Sequence, residues 1–296
     1  MTRSEFIKSA GATVALAVAG KMFAEPASVG GEVDYAALQQ EIDLVTPKDF
    51  AAFDTAKFAA LRRLDGALDK VRAEMKAAIV TGRPVVWFVY NMGVVVKTSR
   101  ACFSIDLMHP RAKELAPLLD FALITHSHGD HFTEDFYQAM NDAGKTVISN
   151  FKDNYTAHFK SGAGGYTRAG KTFRIEDVEI RTSLTDHNDY LVDFTTSFEI
   201  KVGDYVIYHT GDCANLKKLD PAVKPDLWVV HPYCGMDVVD GVKKFGPETT
   251  VIAHLNELGH ARERWRWTWA DGLNAKTKVE AAGGRAIVPV WGDRIV

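Results

Sequence analysis

Cysteine is scarce in this chain: among 296 residues there are three, Cys102, Cys213 and Cys234. They are too few and too widely spaced for a disulfide framework or a thiolate-built zinc cluster. No essential disulfide is expected, and Cys213, although it follows an acidic ligand candidate, is by default a small buried residue. Charge of one sign is equally lacking. Thirty-five Lys and Arg stand against 38 Asp and Glu, for a formal net charge of −3. With no polybasic patch either, neither nucleic acid nor an anionic membrane surface is an expected partner. No apolar run reaches the roughly 20 residues that a membrane-spanning helix needs. There is no internal repeat, and no Gly-x-Ser-x-Gly turn to present a serine nucleophile. What remains is ample material for a core, 47% apolar against 25% charged, in a length that suits one α/β domain or one domain with an appendage.

Residues 1–27 differ in character from the rest. Arg3 and Lys8 precede a small apolar stretch from Ala10 to Gly20, and Ala24 or Ala27 could end a cleavable segment. This reads as an export signal, with Thr2 to Lys8 resembling the twin-arginine pattern short of its second arginine. The expectation is an exported protein of the periplasm or cell envelope; the alternative is a cytoplasmic protein with a packed amphipathic N-terminus.

Residues 28–82 read as a helical extension. Leu61, Leu64, Leu68, Val71, Met75 and Ile79 recur at spacings of three and four, the mark of an amphipathic helix. Its apolar stripe is expected to pack on the main domain, a homodimer contact being the alternative. Gly82-Arg83-Pro84 breaks the pattern, and residues 83–296 form the main domain. There, short apolar runs such as Val85 to Tyr90, Ala122 to Thr125, Val178 to Thr182, Tyr205 to Thr210 and Thr250 to Ala253 alternate with turns. Helical stretches are few, among them Glu134 to Asn141 and Asn274 to Ala282. Many strands with few helices predict an α/β architecture of two sheets covered by helices. Ser161-Gly162-Ala163-Gly164-Gly165 reads as a flexible loop near the site.

The richest stretch for chemistry is His126-Ser127-His128-Gly129-Asp130-His131, directly after the run Phe121 to Thr125. At a strand end, residues two apart point the same way, so His126 and His128 can converge on one ion while the bend sends Asp130 and His131 toward a second. Three distant segments, Thr185-Asp186-His187, Thr210-Gly211-Asp212 and Ile252-Ala253-His254, each put a ligand-type residue at or just past a predicted strand end. Strand ends are where a layered fold gathers side chains from distant parts of the chain.

Together these residues resemble the metallo-β-lactamase superfamily of binuclear hydrolases, from about Val85 to the C-terminus. The resemblance implies an αββα sandwich of two mixed β-sheets flanked by helices. It implies His126, His128 and His187 as ligands of one metal, Asp130, His131 and His254 as ligands of another, and Asp212 as the bridge. Asp106 resembles the strand-end aspartate that holds a ligating His by its free ring nitrogen. The cofactor so implied is two divalent ions, zinc foremost, with manganese or iron also suited to a nitrogen and oxygen set. Such ions, about 3.5–4 Å apart, hold a shared hydroxide at neutral pH. The implied activity is hydrolysis of a small ester, lactone or phosphodiester. Asp212 counts against β-lactams, because the antibiotic-hydrolysing members generally lack the bridging aspartate. Only 24 residues separate His187 from Asp212, leaving no room for the inserted domain of the nucleic-acid-cutting branch. Tyr208 to Asp212 and Val288 to Asp293 more narrowly resemble the ascorbate-phosphate lactonase branch. The competing readings are a metal-binding scaffold that senses or sequesters a ligand without turnover, and a flavin-partnered diiron redox protein, which would need a carboxylate where His128 stands and a flavin domain.

Other candidates are less specific. Asp130 doubles as a catalytic candidate, and His231, at the end of Leu227 to Val230, would line the pocket or donate a proton, with a structural hydrogen bond as the equal alternative. His209, three residues before Asp212, is expected to support a ligand rather than to be one. His260 is assigned a surface or capping role, with facing substrate as the alternative; Tyr190 and Tyr233 are read as ordinary half-buried aromatics, with donation of a proton to a leaving group as the alternative; His109 and His158 receive no role. The run Trp265-Arg266-Trp267-Thr268-Trp269 looks like an aromatic recognition strip, but on a helix these positions spread around the axis, so the favoured reading is rings that pack against the core and a neighbour.

Overall fold

Beyond residue 82 the chain forms two mixed sheets in the computed structural model of the protein, which describes residues 33–152 and 171–296. The export-signal residues, the Ser161 to Gly165 loop and His158 lie outside the described residues. The first sheet runs in the order β1 (Val85–Tyr90), β2 (Gly93–Lys97), β3 (Cys102–Ile105), β4 (Phe121–Ile124), β5 (Thr146–Ser149). Its first two pairings are antiparallel and its last two parallel. The second sheet contains β6 (Thr172–Ile175), β7 (Val178–Thr185), β8 (Thr195–Val202), β9 (Tyr205–His209), β10 (Leu227–Val230), β11 (Thr249–Ile252) and β12 (Ala286–Ile287). In it β12, β11, β10 and β9 pair in parallel, and β9 to β6 antiparallel.

Strands β1, β3, β4, β9 and β10 are buried at every residue, as expected where both faces of a sheet are covered. The covering helices are α1 (Tyr35–Asp43), α2 (Pro47–Ala52), α3 (Ala59–Ala77), α4 (Glu134–Asp142), α5 (Val238–Phe245) and α6 (Trp269–Ala281). In α3, Leu61, Leu64, Leu68, Val71 and Met75 are buried, and the helix packs on β1. Ile79, expected in the same stripe, lies beyond the helix end and is exposed; nothing follows it that would continue the turn before Gly82-Arg83-Pro84. The tie between extension and main domain is polar as well, since the Tyr35 hydroxyl donates to the Val288 carbonyl at 2.6 Å. Among the described residues no helix is long and apolar enough to cross a membrane.

Two differences from the sequence reading bear on the site. First, β7 runs three residues past its predicted end, to Thr185, so Asp186 and His187 follow it directly. Second, α6 begins at Trp269, where Thr268 and Asp271 form a capping box. Trp265 to Thr268 are therefore loop, because a capping threonine needs extended backbone (ψ 168° at Thr268) and stops the helix from reaching back.

Candidate metal centre

Strands β3, β4, β7, β9, β10 and β11 bring their carboxyl ends to one edge of the sandwich, and each is followed within three residues by a ligand-type side chain: Asp106, His126, His187, Asp212 (across Thr210-Gly211), His231 and His254. Backbone strain marks this edge. Asp106, His254 and Asn256 all have positive φ (45°, 58° and 53°), a conformation that non-glycine residues hold only where surroundings enforce it. Gly211 (φ 52°) is required for a second reason: a Cβ there would lie 2.8 Å from the Thr125 side chain. Glycine is what lets Asp212 approach the end of β4.

The hexapeptide after β4 folds into a tight turn in which the His131 and Phe132 amides donate to the His128 carbonyl, both at 3.0 Å. Asp106 anchors it. Its Oδ1 accepts from the Thr125 amide and its Oδ2 from the Thr125 hydroxyl, each at 2.7 Å, and Oδ2 lies 2.9 Å from His131 Nδ1. A carboxylate on Nδ1 makes that nitrogen the donor and turns Nε2 toward Asp212.

His126, His128 and His187 have ligand-type atoms within 4.8 Å of one another, as do Asp130, His131, Asp212 and His254. Asp212 sits between the groups: Oδ1 is 3.2 Å from His131 Nε2, and Oδ2 is 3.5 Å from both His187 Nε2 and His254 Nε2. Asp130 Oδ2 is 3.0 Å from His254 Nε2 and 3.7 Å from His131 Nε2. Two atoms each about 2.1 Å from a tetrahedral ion lie about 3.4 Å apart, so these spacings suit ligands around a shared ion. The second mark of fit is unsatisfied polarity. His126 Nε2, His131 Nε2 and Asp212 Oδ1 are buried without a hydrogen-bond partner, a costly condition that an ion among them would relieve.

Electrostatics reflect the crowding. Burial would lower the His131 pKa, but Asp212, Asp130 and Asp106 outweigh it and hold the ring well above its ordinary value. Burial, followed by the neighbouring His131, pushes His126 well below its ordinary value. Burial would raise the Asp212 carboxyl, yet His254 and His131 keep it well below the usual carboxylate range.

The remaining candidates separate cleanly. His231 lines the cavity and stacks on His254 with ring centroids 4.0 Å apart; burial and then His254 drive its pKa well down. His209 Nε2 donates to the Met92 carbonyl at 2.9 Å, and its Nδ1 accepts from the Gly211 amide at 3.3 Å. Its support runs through backbone rather than through a ligand. Cys213 is buried with its Sγ 2.7 Å from the Thr185 hydroxyl. Cys234, passed over in the sequence, groups instead with His187 and Asp212; no local pattern around Pro232-Tyr233-Cys234 signals this. His260 lines the cavity, and Tyr233, half-buried, donates its hydroxyl to the Asp271 carbonyl at 2.6 Å. Tyr190 is almost fully exposed.

The cluster lies at the base of a cavity of about 790 Å³ that also includes Phe50 from α2, Trp265 and Trp267. Two mixed sheets flanked by helices, with this His and Asp constellation at the strand ends, make the metallo-β-lactamase fold. No family model matches the chain. In sequence it is similar to a UPF0173 metal-dependent hydrolase of Nanoarchaeum equitans, 26% identical over 193 residues that cover 59% of this chain and 84% of that protein. In structure it is similar to Igni18, a metallo hydrolase of Ignicoccus hospitalis (TM-score 0.55, 20% identity, 72% of this chain and 98% of that one). It is also similar to CmlA, a diiron β-hydroxylase of Streptomyces venezuelae (TM-score 0.54, 14% identity, 71% and 53%). The narrower resemblance to the lactonase branch is carried by the short motifs alone.

Proposed function

We propose that the protein is a metal-dependent hydrolase that cleaves a small ester, lactone or phosphodiester at a two-ion centre. The observation that carries this reading is the convergence of seven nitrogen and oxygen ligand candidates beside one cavity, three of them (His126, His131 and Asp212) with an unsatisfied buried atom in the cluster. His126, His128 and His187 would hold one ion, Asp130, His131 and His254 the other, and Asp212 would bridge. Bound there, two divalent ions supply Lewis acidity and bring the pKa of water to about 7. The protein's own part is positioning. Asp106 fixes the His131 ring, and the turn from His128 to His131 sets the Asp130 carboxylate against His254. His231, which lines the cavity beside His254, would hydrogen-bond a departing oxygen.

The ligand types favour zinc while admitting manganese or iron; the diiron neighbour is a reminder that this fold carries iron in at least one protein. His128 offers a ring where a diiron redox centre of the flavin-partnered kind would want a carboxylate. Asp212 disfavours β-lactams. The test is a panel of neutral esters, lactones, phosphodiesters and β-lactams with metal-loaded enzyme. Turnover of an ester, lactone or phosphodiester that chelation abolishes and added metal restores supports the reading; turnover of β-lactams alone, or none, refutes it.

A further inference from the structure

The segment from Glu257 to Trp267 forms one wall of the cavity and is built with unusual care. Glu257 is buried, and its carboxylate accepts from the Tyr90 hydroxyl at 3.0 Å, the Gly259 amide at 2.9 Å and the His260 amide at 2.6 Å. Arg266 is buried too, and its guanidinium is spent on backbone carbonyls: Val45 (2.7 Å), Glu257 (3.1 Å), Leu258 (2.8 Å) and His260 (2.9 Å). Two buried charges thus hold a loop that has no secondary structure of its own, an expensive arrangement that persists where loop geometry matters.

That geometry presents rings to the cavity. Trp267 lies against Tyr233, centroids 4.5 Å apart and 22° from parallel. Trp265 is 62% exposed and sits at φ 62°, a left-handed position unfavourable for a bulky residue. A large apolar side chain held mostly exposed by strained backbone at the rim of the cavity is not explained by burial in the core. His260 stands beside it, centroids 5.9 Å apart, with Nδ1 3.3 Å from Glu257 Oε2. Phe50 extends the apolar surface from α2. Among the described residues lining the cavity there is no Lys or Arg; Arg264 is outside it, stacked on Trp265 at 4.8 Å. The volume, about 790 Å³, falls within the roughly 300–1,000 Å³ of small-molecule sites.

We infer that this wall is the substrate-recognition site, and that it selects an uncharged, ring-bearing carboxylic ester or lactone whose flat group rests on Trp265 and Trp267 while its carbonyl faces the His and Asp cluster. The inference deepens the hydrolase reading and rests on it. Two measurements test it. Tryptophan fluorescence of the full-length protein, with and without metal, is titrated with phenylacetamide, acetamide and inorganic phosphate. Saturable quenching by phenylacetamide alone, weakened in Trp265→Ala and retained in Trp265→Phe, is expected. In kinetics, the ratio of kcat/KM for methyl phenylacetate to that for methyl acetate should fall about tenfold in Trp265→Ala, the scale of one lost ring contact. An unchanged ratio, or preference of the wild type for bis(p-nitrophenyl) phosphate over both esters, overturns the inference. Quenching by phenylacetamide without hydrolysis of any ester, lactone or phosphodiester sinks the hydrolase reading while leaving the ring-binding site standing.

Discussion

His109 and His209 are as thoroughly buried as His126 and His131, yet the two pairs sit in opposite chemical states. His109 Nδ1 accepts from the Arg111 amide at 2.9 Å, and its Nε2 faces the Leu64 carbonyl at 3.2 Å. His209 is likewise engaged at both nitrogens. In His126 and His131 one nitrogen is engaged, by Thr125 or by Asp106, and the other is buried with no partner. A histidine satisfied on both edges is part of the scaffold; one satisfied on the outer edge alone is aimed at something. The difference teaches that burial does not identify a ligand. The accounting of each ring nitrogen does.

Variants can break this comparison, and the largest effect is expected on the unsatisfied side. His128→Ala or Asp212→Ala should lower turnover by about a thousandfold or more and reduce bound metal, while the fold by circular dichroism persists. Full activity in either would remove the assignment. On the satisfied side the effect is on stability alone. Burial pushes the His109 pKa down to about 4 from an ordinary 6.5, and the Leu64 carbonyl only partly offsets this. Between those values the unfolded chain takes up a proton that the folded one refuses. Stability present above pH 6.5 is therefore lost as pH falls toward 4, by about 3 kcal/mol. Urea melts across that range should show the slope, and His109→Gln should flatten it without changing metal content. The smallest change lies between the two groups. Asp106→Asn keeps a side chain tolerant of the left-handed backbone but weakens the grip on His131 Nδ1, so metal affinity should drop about 10–100-fold with little loss of stability. Unaltered affinity would mean that Asp106 only braces Thr125.

Much of this site is legible in the sequence because strand ends carry it. An apolar run followed at once by His-x-His-x-Asp-His, and single Asp or His residues closing later runs, mark the positions where parallel strands end together. What is not legible depends on which way loops turn. Nothing near Cys234 indicates that it will stand beside Asp212, and Phe50, from the helical extension, reaches the cavity by tertiary packing alone. Trp265 to Thr268 look helical until Thr268 is recognised as a cap. Helix α5 is missed for a related reason. Gly241 and three valines give it poor intrinsic propensity, and it exists because a glycine allows it to lie on Trp228, where a Cβ would approach the ring to 2.2 Å.

The central claim is that the unsatisfied nitrogens and the Asp212 carboxylate enclose metal. Elemental analysis of wild-type protein purified from metal-replete medium, run beside His209→Gln and Asp212→Ala, tests it most directly. The account predicts about two metal ions per chain in the wild type, the same number in His209→Gln, and a clear deficit in Asp212→Ala. A wild-type protein that is stably folded, free of metal and unable to take it up would contradict the account.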